Sequence, residues 1–196
     1  IALFANPFKQ IKSAGVQVFT EIVTYEYDHR WNQKWVRNCY GEAFLQSIIK
    51  EKVTCCGVVA GTTQDMLDYL HAFIKELRNK WNCDTVGADT AIHVWVTHAL
   101  SNVNIVDSEY AIIRHAPKWG KDAENQLARD SNQKYDAQHH MLNKNGVRYA
   151  LVHQLDRFST IWKSYKAKHA KVKCTLTSDK MYITSIRDKS GIEKFK

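Results

Sequence analysis

The sequence predicts an α/β fold, in which helices flank a mixed sheet that contains an antiparallel element. Segments rich in β-branched residues alternate irregularly with segments whose apolar residues recur at helical spacing, and this mixture is typical of the class. The length of 196 residues suits one domain, which should bury about 70% of its unfolded surface. We expect that domain to span residues 1–170 and a basic, β-rich tail to span residues 171–196.

The predicted strands are short and rich in valine, isoleucine and threonine. The first is Val16–Thr24, and the second, at residues 53–61, contains Gly57. A glycine inside a strand often marks the close approach of a ligand or of another backbone. The remaining predicted strands follow at Val103–Val106 and at residues 110–115, 149–152, 172–176 and 181–186.

The clearest helical pattern begins after residue 61. Thr62 and Asp65 have the spacing of a capping box, so we expect a helix to begin there. Its apolar residues recur at helical spacing and are interpreted as core: Met66, Leu67, Leu70, Phe73, Ile74 and Leu77.

Three more helices are predicted. The pattern beginning at Gly87 predicts a helix whose buried face comprises Ile92, Trp95, Val96, Ala99 and Leu100. Weaker patterns predict helices at residues 41–52 and at about 158–169. Residues 118–146 are polar and are interpreted as a long loop.

The net charge of +8 indicates a folded, basic protein with an anionic partner or simply a solvated cationic face. The lysines concentrate between residues 163 and 173 and in the tail. We expect no membrane-spanning segment, because no apolar run approaches the length of about 20 residues that a spanning helix needs.

The five cysteines are odd in number and contain no Cys-x-x-Cys pair. Cys55 and Cys56 lie in one predicted strand and should point to opposite faces. The pattern indicates neither a disulfide framework nor a zinc site, so we expect free core thiols. Free thiols favour a reducing compartment, and the expected location is cytoplasmic, with the secretory pathway as the alternative if a leader precedes this sequence.

Two positions could carry chemistry. His153 ends an apolar strand and is followed by Asp156 and Arg157; such a cluster could bind a metal or a phosphate, or be a capped strand end. Asp89 lies where a helix begins, so it could either stabilise the helix start or present a carboxylate to a cleft. The tryptophans at 31 and 35 could stack on a sugar or base, or pack in the core.

Four segments in order carry a resemblance: residues 34–42 (KWVRNCYGE), 56–62 (CGVVAGT), 87–93 (GADTAIH) and 152–157 (VHQLDR). Together they resemble a family of nucleotide-sugar-dependent glycosyltransferases with the GT-A fold. The resemblance runs from residue 1 to about residue 158. It implies that the aspartate-rich strand end that binds metal and donor diphosphate lies outside this sequence, before it or in a second chain, or is lost.

The resemblance also implies residue roles. His153 matches a histidine that completes the shell of a divalent metal, for which Mn²⁺ is expected over Mg²⁺. Asp89 matches an acid that binds a hydroxyl and that acts as general base in an inverting enzyme. The matching donor- and acceptor-binding residues are Gly57, Gly61, His93, Asp156 and Arg157.

Two departures from the family are visible. The family has Gln where this chain has Thr90, and Asn where it has Val94, which removes polar contacts from the sugar pocket. The expected function is transfer of a sugar from a nucleotide-sugar donor to a glycan or protein hydroxyl by the intact or assembled protein, with the isolated chain inactive. The alternatives are a non-catalytic module that binds glycans or a partner chain and, third, a basic nucleic-acid-binding domain.

Overall fold

The structure is a computed structural model, and it describes residues 2–3, 14–28, 31–80, 83, 86–115, 136–137, 140–154, 162–163 and 166–167. The chain divides into two compact units, Ile1–Trp162 and Lys163–Lys196. All strands and long helices described belong to the first unit. In the second, Lys163, Lys166 and Ala167 have helical backbone.

The first sheet has the strand order β3-β2-β4 and is mixed. Strand β2 (Val16–Thr24) pairs antiparallel with β3 (Lys52–Ala60) and parallel with β4 (Val103–Val106). The central position of β2 explains its β-branched composition, because Val16 and Val18 are fully buried beneath the helices. Strand β3 lies at the edge of this sheet.

The second sheet is also mixed and has the order β1-β6-β5. Strand β6 (Leu151–His153) pairs antiparallel with β1 (Ala2–Leu3) and parallel with β5 (Ile113–His115). The predicted α/β class with a mixed sheet and flanking helices is thus confirmed at this coarse level.

Three helices flank the first sheet. They are α1 (Asn32–Ile48), α2 (Thr63–Asn79) and α3 (Ala88–Ala99). Helix α1 starts earlier than predicted and is interrupted at Gly41, whose φ of 83° is a conformation that glycine adopts without steric cost. Lys52, predicted as the end of that helix, is the first residue of β3.

The core has two sides because residues of β2 alternate between its faces. Val16 and Val18 pack with Tyr69, Ile92 and Val96 under α2 and α3. Phe19 packs on the opposite side with Ala60, Ala111 and Ile113, partly covered by Leu151 of β6. The second sheet therefore covers the face of β2 that the helices leave open.

An ion network fixes the start of β3. The Lys52 ammonium lies 2.7 Å from a carboxylate oxygen of Asp107 and 3.2 Å from one of Glu109, and Lys144 lies 3.0 Å from Glu109. Burial opposes the charges, but the hydrogen bonds to Lys52 and Lys144 prevail and lower the pKa of both carboxyl groups. The network ties β3 to the segment after β4.

The predicted core stripe of α2 is wrong for four of its six residues. Leu67, Leu70, Ile74 and Leu77 are each 43–45% exposed. Helix α2 packs through a different face, on which Tyr69 is buried and Met66, Ala72 and Phe73 are partly buried. The periodicity correctly indicated a helix, but the neighbouring elements cover the face with Tyr69 and leave the predicted stripe exposed.

The buried face of α3 is also broader than predicted. It comprises Ala91, Ile92, His93, Val94, Val96 and Thr97, whereas Ala99 is exposed and Trp95 and Leu100 are partly buried. This breadth arises because α3 lies between α1 and α2 and over the sheet.

The prediction that all cysteines are free is wrong for two of them. Cys39 of α1 and Cys83, which precedes α3, form a disulfide with a Cα–Cα distance of 5.2 Å. Cys55 and Cys56 are not disulfide-bonded. The expectation of a cytoplasmic location depended on free thiols, and the disulfide removes that argument.

Several predicted elements differ in length or lie outside the described residues. The strand at 110–115 is confined to Ile113–His115, and the strand at 149–152 is shifted to Leu151–His153. Most of the loop at 118–146 and both strands after residue 171 lie outside, as does the tail. The domain boundary at residue 170 stays a prediction.

The disulfide closes a loop with a sequence separation of 44 residues, so its reduction should destabilise the native state. We expect reductant to lower the free energy of unfolding by about 2–4 kcal/mol, measured by denaturant titration. The double variant Cys39→Ala, Cys83→Ala should lose this response, whereas Cys55→Ala should retain it. Equal stability with and without reductant would contradict the prediction.

Candidate functional site

The candidate site lies where strand β3 leaves its regular pairing with β2. Val18 pairs with Val59 and Thr20 pairs with Thr54, so two steps along β2 correspond to five steps along β3. The extra residues of β3 are accommodated around Cys55, Cys56 and Gly57. Irregularities of this kind are frequent at strand edges next to functional sites, because they redirect side chains.

His153 at the end of β6 lies against Gly57. A methyl group placed on Gly57 would lie 2.1 Å from Cε1 and 2.6 Å from Nε2 of the His153 ring, so only glycine permits this approach. On the same side, the Cys55 Sγ atom lies 3.9 Å from His153 Nδ1. The next residue, Gln154, has a φ of 64° and turns the chain away from the strand.

Cys56 points to the other side of β3, toward the start of α3. Its Sγ atom lies 3.3 Å from Oγ1 of Thr90. The opposite orientations predicted for Cys55 and Cys56 are therefore present. Burial raises the pKa of the Cys56 thiol, the Thr90 hydroxyl opposes that rise, and the nearby negative charge of Asp89 adds to it.

Asp89 is exposed in the first turn of α3, close enough to Cys56 to influence its ionisation. The helix begins at Gly87, whose φ of 90° places it in the left-handed region. The Trp35 ring packs on Gly87, where a methyl group would lie 2.3 Å from the ring. The side chain of Trp35 therefore locates the residues that precede Asp89.

His93 lies one turn further along α3 and is fully buried. Its Nδ1 atom lies 2.6 Å from the Tyr69 hydroxyl, and among the described residues its Nε2 atom has no hydrogen-bond partner. Burial lowers the pKa of His93 to about 3, so the ring is neutral at physiological pH. His93 therefore lies in the core beneath Asp89.

Gly61 is separate from this group. It lies at the other end of β3, where a methyl group on it would meet Asp65 at 3.3 Å and the Gly15 carbonyl at 3.4 Å. The predicted cap is present beside it, because the Thr62 hydroxyl accepts a hydrogen bond from the Asp65 amide at 3.2 Å. The small size of Gly61 therefore allows the start of β2 and the first turn of α2 to pack closely against it.

The two tryptophans differ in environment. Trp35 is partly buried in the core cluster of α1, whereas Trp31 is half exposed, with its ring centroid 5.8 Å from that of Trp35. The core interpretation therefore holds for Trp35, and stacking of a sugar or base on Trp31 stays a prediction.

The predicted residues Asp156 and Arg157 lie outside the described residues. Within the described part of the chain, no three His, Cys, Asp or Glu side chains come together as a metal site. Cys55 beside His153 adds a thiol, whereas Mn²⁺ and Mg²⁺ prefer oxygen ligands. The described residues alone therefore do not fit a complete site for either ion.

Sequence reasoning missed three neighbours of the predicted site residues. Cys55, Cys56 and Tyr69 were treated as core or not singled out, yet they contact or approach His153, Thr90 and His93. For the two cysteines, the available signal was their position in the sequence, because they immediately precede Gly57 in the predicted strand.

Comparisons of the chain with protein-family models, curated proteins and solved structures found no match. In the described residues, no helix is both long enough and apolar enough to cross a membrane.

Replacement of Gly57 by alanine should displace His153. We expect Gly57→Ala to lower the free energy of unfolding by about 1–3 kcal/mol, the usual cost of overpacking. Combined with His153→Ala, the change should cost less, because the clashing ring is gone.

Gly61→Ala is the matched control for this prediction, since its nearest neighbour would lie at 3.3 Å. We expect a smaller loss that His153→Ala does not relieve. A denaturant-based double-mutant cycle measures both effects, and strict additivity of Gly57→Ala with His153→Ala would contradict the described contact.

Burial of neutral His93 should make the fold sensitive to acid. Between pH 6.5 and about 3 the unfolded chain binds a proton that native His93 does not bind, so stability falls as the pH is lowered. We expect this group to contribute a slope of about 1.4 kcal/mol per pH unit. His93→Gln should remove that contribution, measured by denaturant titration at several pH values.

Val94→Ala is the control for His93→Gln, because it changes another fully buried residue of the same helix without removing a titratable group. It should be less stable at every pH but keep the wild-type slope. An NMR titration of the His93 ring checks the cause directly, and a pKa near 6.5 in the native protein would contradict it.

Proposed function

We propose that this chain is a GT-A-type glycosyltransferase, or its C-terminal part, that transfers a sugar from a nucleotide-sugar donor to an acceptor hydroxyl. The observation that supports the proposal is the convergence of two distant segments, β6 and α3, on residues 55–57 of β3. His153 approaches from β6, while Thr90 and Asp89 approach from α3. Three of the four segments that carry the sequence resemblance to that family, those with Gly57, Asp89 and His153, therefore lie close together.

Asp89 is the residue we propose for proton transfer or hydroxyl binding. Its carboxylate is exposed at a helix start that Gly87, Trp35 and the Cys56–Thr90 contact hold in place. An exposed, positioned carboxylate can accept the proton of an acceptor hydroxyl as the oxygen attacks the sugar. The hydroxyl proton would move to the carboxylate, while the nucleoside diphosphate leaves with the bonding electrons.

His153 is proposed as one ligand of a divalent cation, Mn²⁺ rather than Mg²⁺. Such a cation, if bound beside the leaving diphosphate, would supply Lewis-acid stabilisation of the negative charge on the diphosphate. Among the described residues only His153 supports this, and Asp156 and Arg157 stay candidates for orientation and phosphate binding. The nucleotide-binding half, from a preceding segment or a second chain, belongs to the same proposal.

The second candidate is a non-catalytic module that binds glycans or a partner chain. Two observations favour it. Thr90 directs its hydroxyl to Cys56, and Val94 is fully buried in the core cluster under α1. Neither position therefore offers a sugar the polar contact expected from the family's glutamine and asparagine.

Replacement of Asp89 tests the enzymatic proposal. We expect Asp89→Asn in the intact protein, assayed with nucleotide sugars and Mn²⁺, to lower turnover by about 100-fold or more if an inverting reaction needs it as base. His153→Ala should raise the Mn²⁺ concentration required for half-maximal activity. The control Asp68→Asn removes an exposed carboxylate of α2 and should retain activity.

Full activity in both Asp89→Asn and His153→Ala would refute these assignments. Calorimetry on the intact protein separates the two candidates. Glycan binding without affinity for nucleotide or Mn²⁺ would favour the non-catalytic module, whereas nucleotide binding that strengthens with Mn²⁺ would favour the enzyme.

A further inference from the structure

Helix α2 carries an apolar stripe that the described residues leave exposed. The stripe comprises Leu67, Leu70, Ile74 and Leu77, which alternate at spacings of three and four residues. This spacing is the a/d pattern of a helix that packs along another helix. Contiguous exposed aliphatic side chains of this kind indicate an interaction surface.

The stripe is distinct from the face through which α2 joins its own fold. Tyr69 and Phe73 face the core cluster of α3, and Glu76 accepts a hydrogen bond from the Tyr40 hydroxyl at 3.2 Å. Within the part of the chain that the structure describes, the contacts of α2 are therefore made by an adjoining face, and the stripe is available to a second molecule.

Charges beside the stripe are distributed unevenly along it. Asp68 follows Leu67 directly, whereas Lys75 follows Ile74 and Arg78 follows Leu77. All three are exposed and lie on one flank, with the acidic residue toward the start of α2 and the basic residues toward its end. This order distinguishes parallel from antiparallel packing of two such helices.

We propose that the α2 stripe binds the α2 stripe of a second copy of this chain in an antiparallel, twofold-symmetric arrangement. Leu67 then lies opposite Leu77 of the other copy, and Leu70 lies opposite Ile74. Asp68 faces Lys75 and Arg78 across the interface, twice by symmetry. In a parallel arrangement the charged flank of each helix would face the other flank of its partner, so these opposite charges would not meet.

The size of the stripe sets the expected strength. From Leu67 to Leu77 it spans about 15 Å of helix, so it buries much less than the roughly 800 Å² per partner of a standard interface. The dimer should therefore be weak and reversible. We expect a dissociation constant in the micromolar range or above.

Sedimentation equilibrium of the 196-residue chain over a wide range of concentration tests the proposal. We expect a reversible monomer–dimer equilibrium, and Leu70→Lys should weaken it by about tenfold or more, since it places a charge in the apolar centre. Val147→Lys is the matched control, because Val147 is 46% exposed on a different part of the chain. Circular dichroism confirms that each variant is folded.

Charge reversal tests the antiparallel arrangement. Asp68→Lys alone and the pair Lys75→Glu, Arg78→Glu should each self-associate more weakly than the wild type. An equimolar mixture of these two variants should regain association, because both sets of opposite charges are restored in the mixed dimer.

Three results would overturn the proposal. They are a chain that stays monomeric at every concentration, dimers that Leu70→Lys leaves unchanged, and dimers that Asp68→Lys leaves unchanged or strengthens. The first would mean that another molecule or segment covers the stripe, and the last would mean that the helices do not pack antiparallel. None of these results depends on the proposed glycosyltransferase activity.

Discussion

The contact between the His153 ring and Gly57 is the constraint on which the candidate site depends. It joins the second sheet to the edge of the first at the point where β3 leaves its regular pairing with β2. A side chain on Gly57 would occupy the volume of the ring, so the site requires glycine for reasons of space alone. The irregular pairing and the glycine together let a residue of β6 approach a strand that it does not pair with.

The start of α3 is fixed from three directions. Trp35 packs on Gly87, the Thr90 hydroxyl contacts Cys56, and the disulfide from Cys39 anchors Cys83 shortly before the helix. Each contact removes a way for the first turn of α3 to shift relative to α1 or β3. Precise placement of a reactive group needs such support from its surroundings, and Asp89 is the exposed carboxylate that benefits from it.

Features that depend on local sequence were predictable, whereas those that depend on tertiary neighbours were not. The strand Val16–Thr24, the cap at Thr62 and the opposite orientations of Cys55 and Cys56 follow from rules that act over a few residues. The periodicity of α2 indicated an amphipathic helix, but a period cannot specify which of two adjoining faces a neighbour covers.

The candidate site was likewise predictable only where it depends on local sequence. A histidine at a strand end and an acid at a helix start are local patterns, and both residues lie where the patterns placed them. Their convergence on Gly57 and Cys56 depends on the shifted register of β3, which no local pattern encodes. The disulfide was missed for a related reason, because its two cysteines are 44 residues apart and meet only when α1 and α3 pack.

The buried and the exposed residues of α3 bear differently on the two functional proposals. Val94 lies in a fully buried position, where an asparagine would lose hydration and need buried partners for its amide. The hydrophobic residue therefore suits the packing of α3 against α1. Helix α3 thus places an apolar side chain in the core at Val94 and an exposed carboxylate at Asp89. Under either proposed function, sugar contacts would have to come from residues other than Thr90 and Val94.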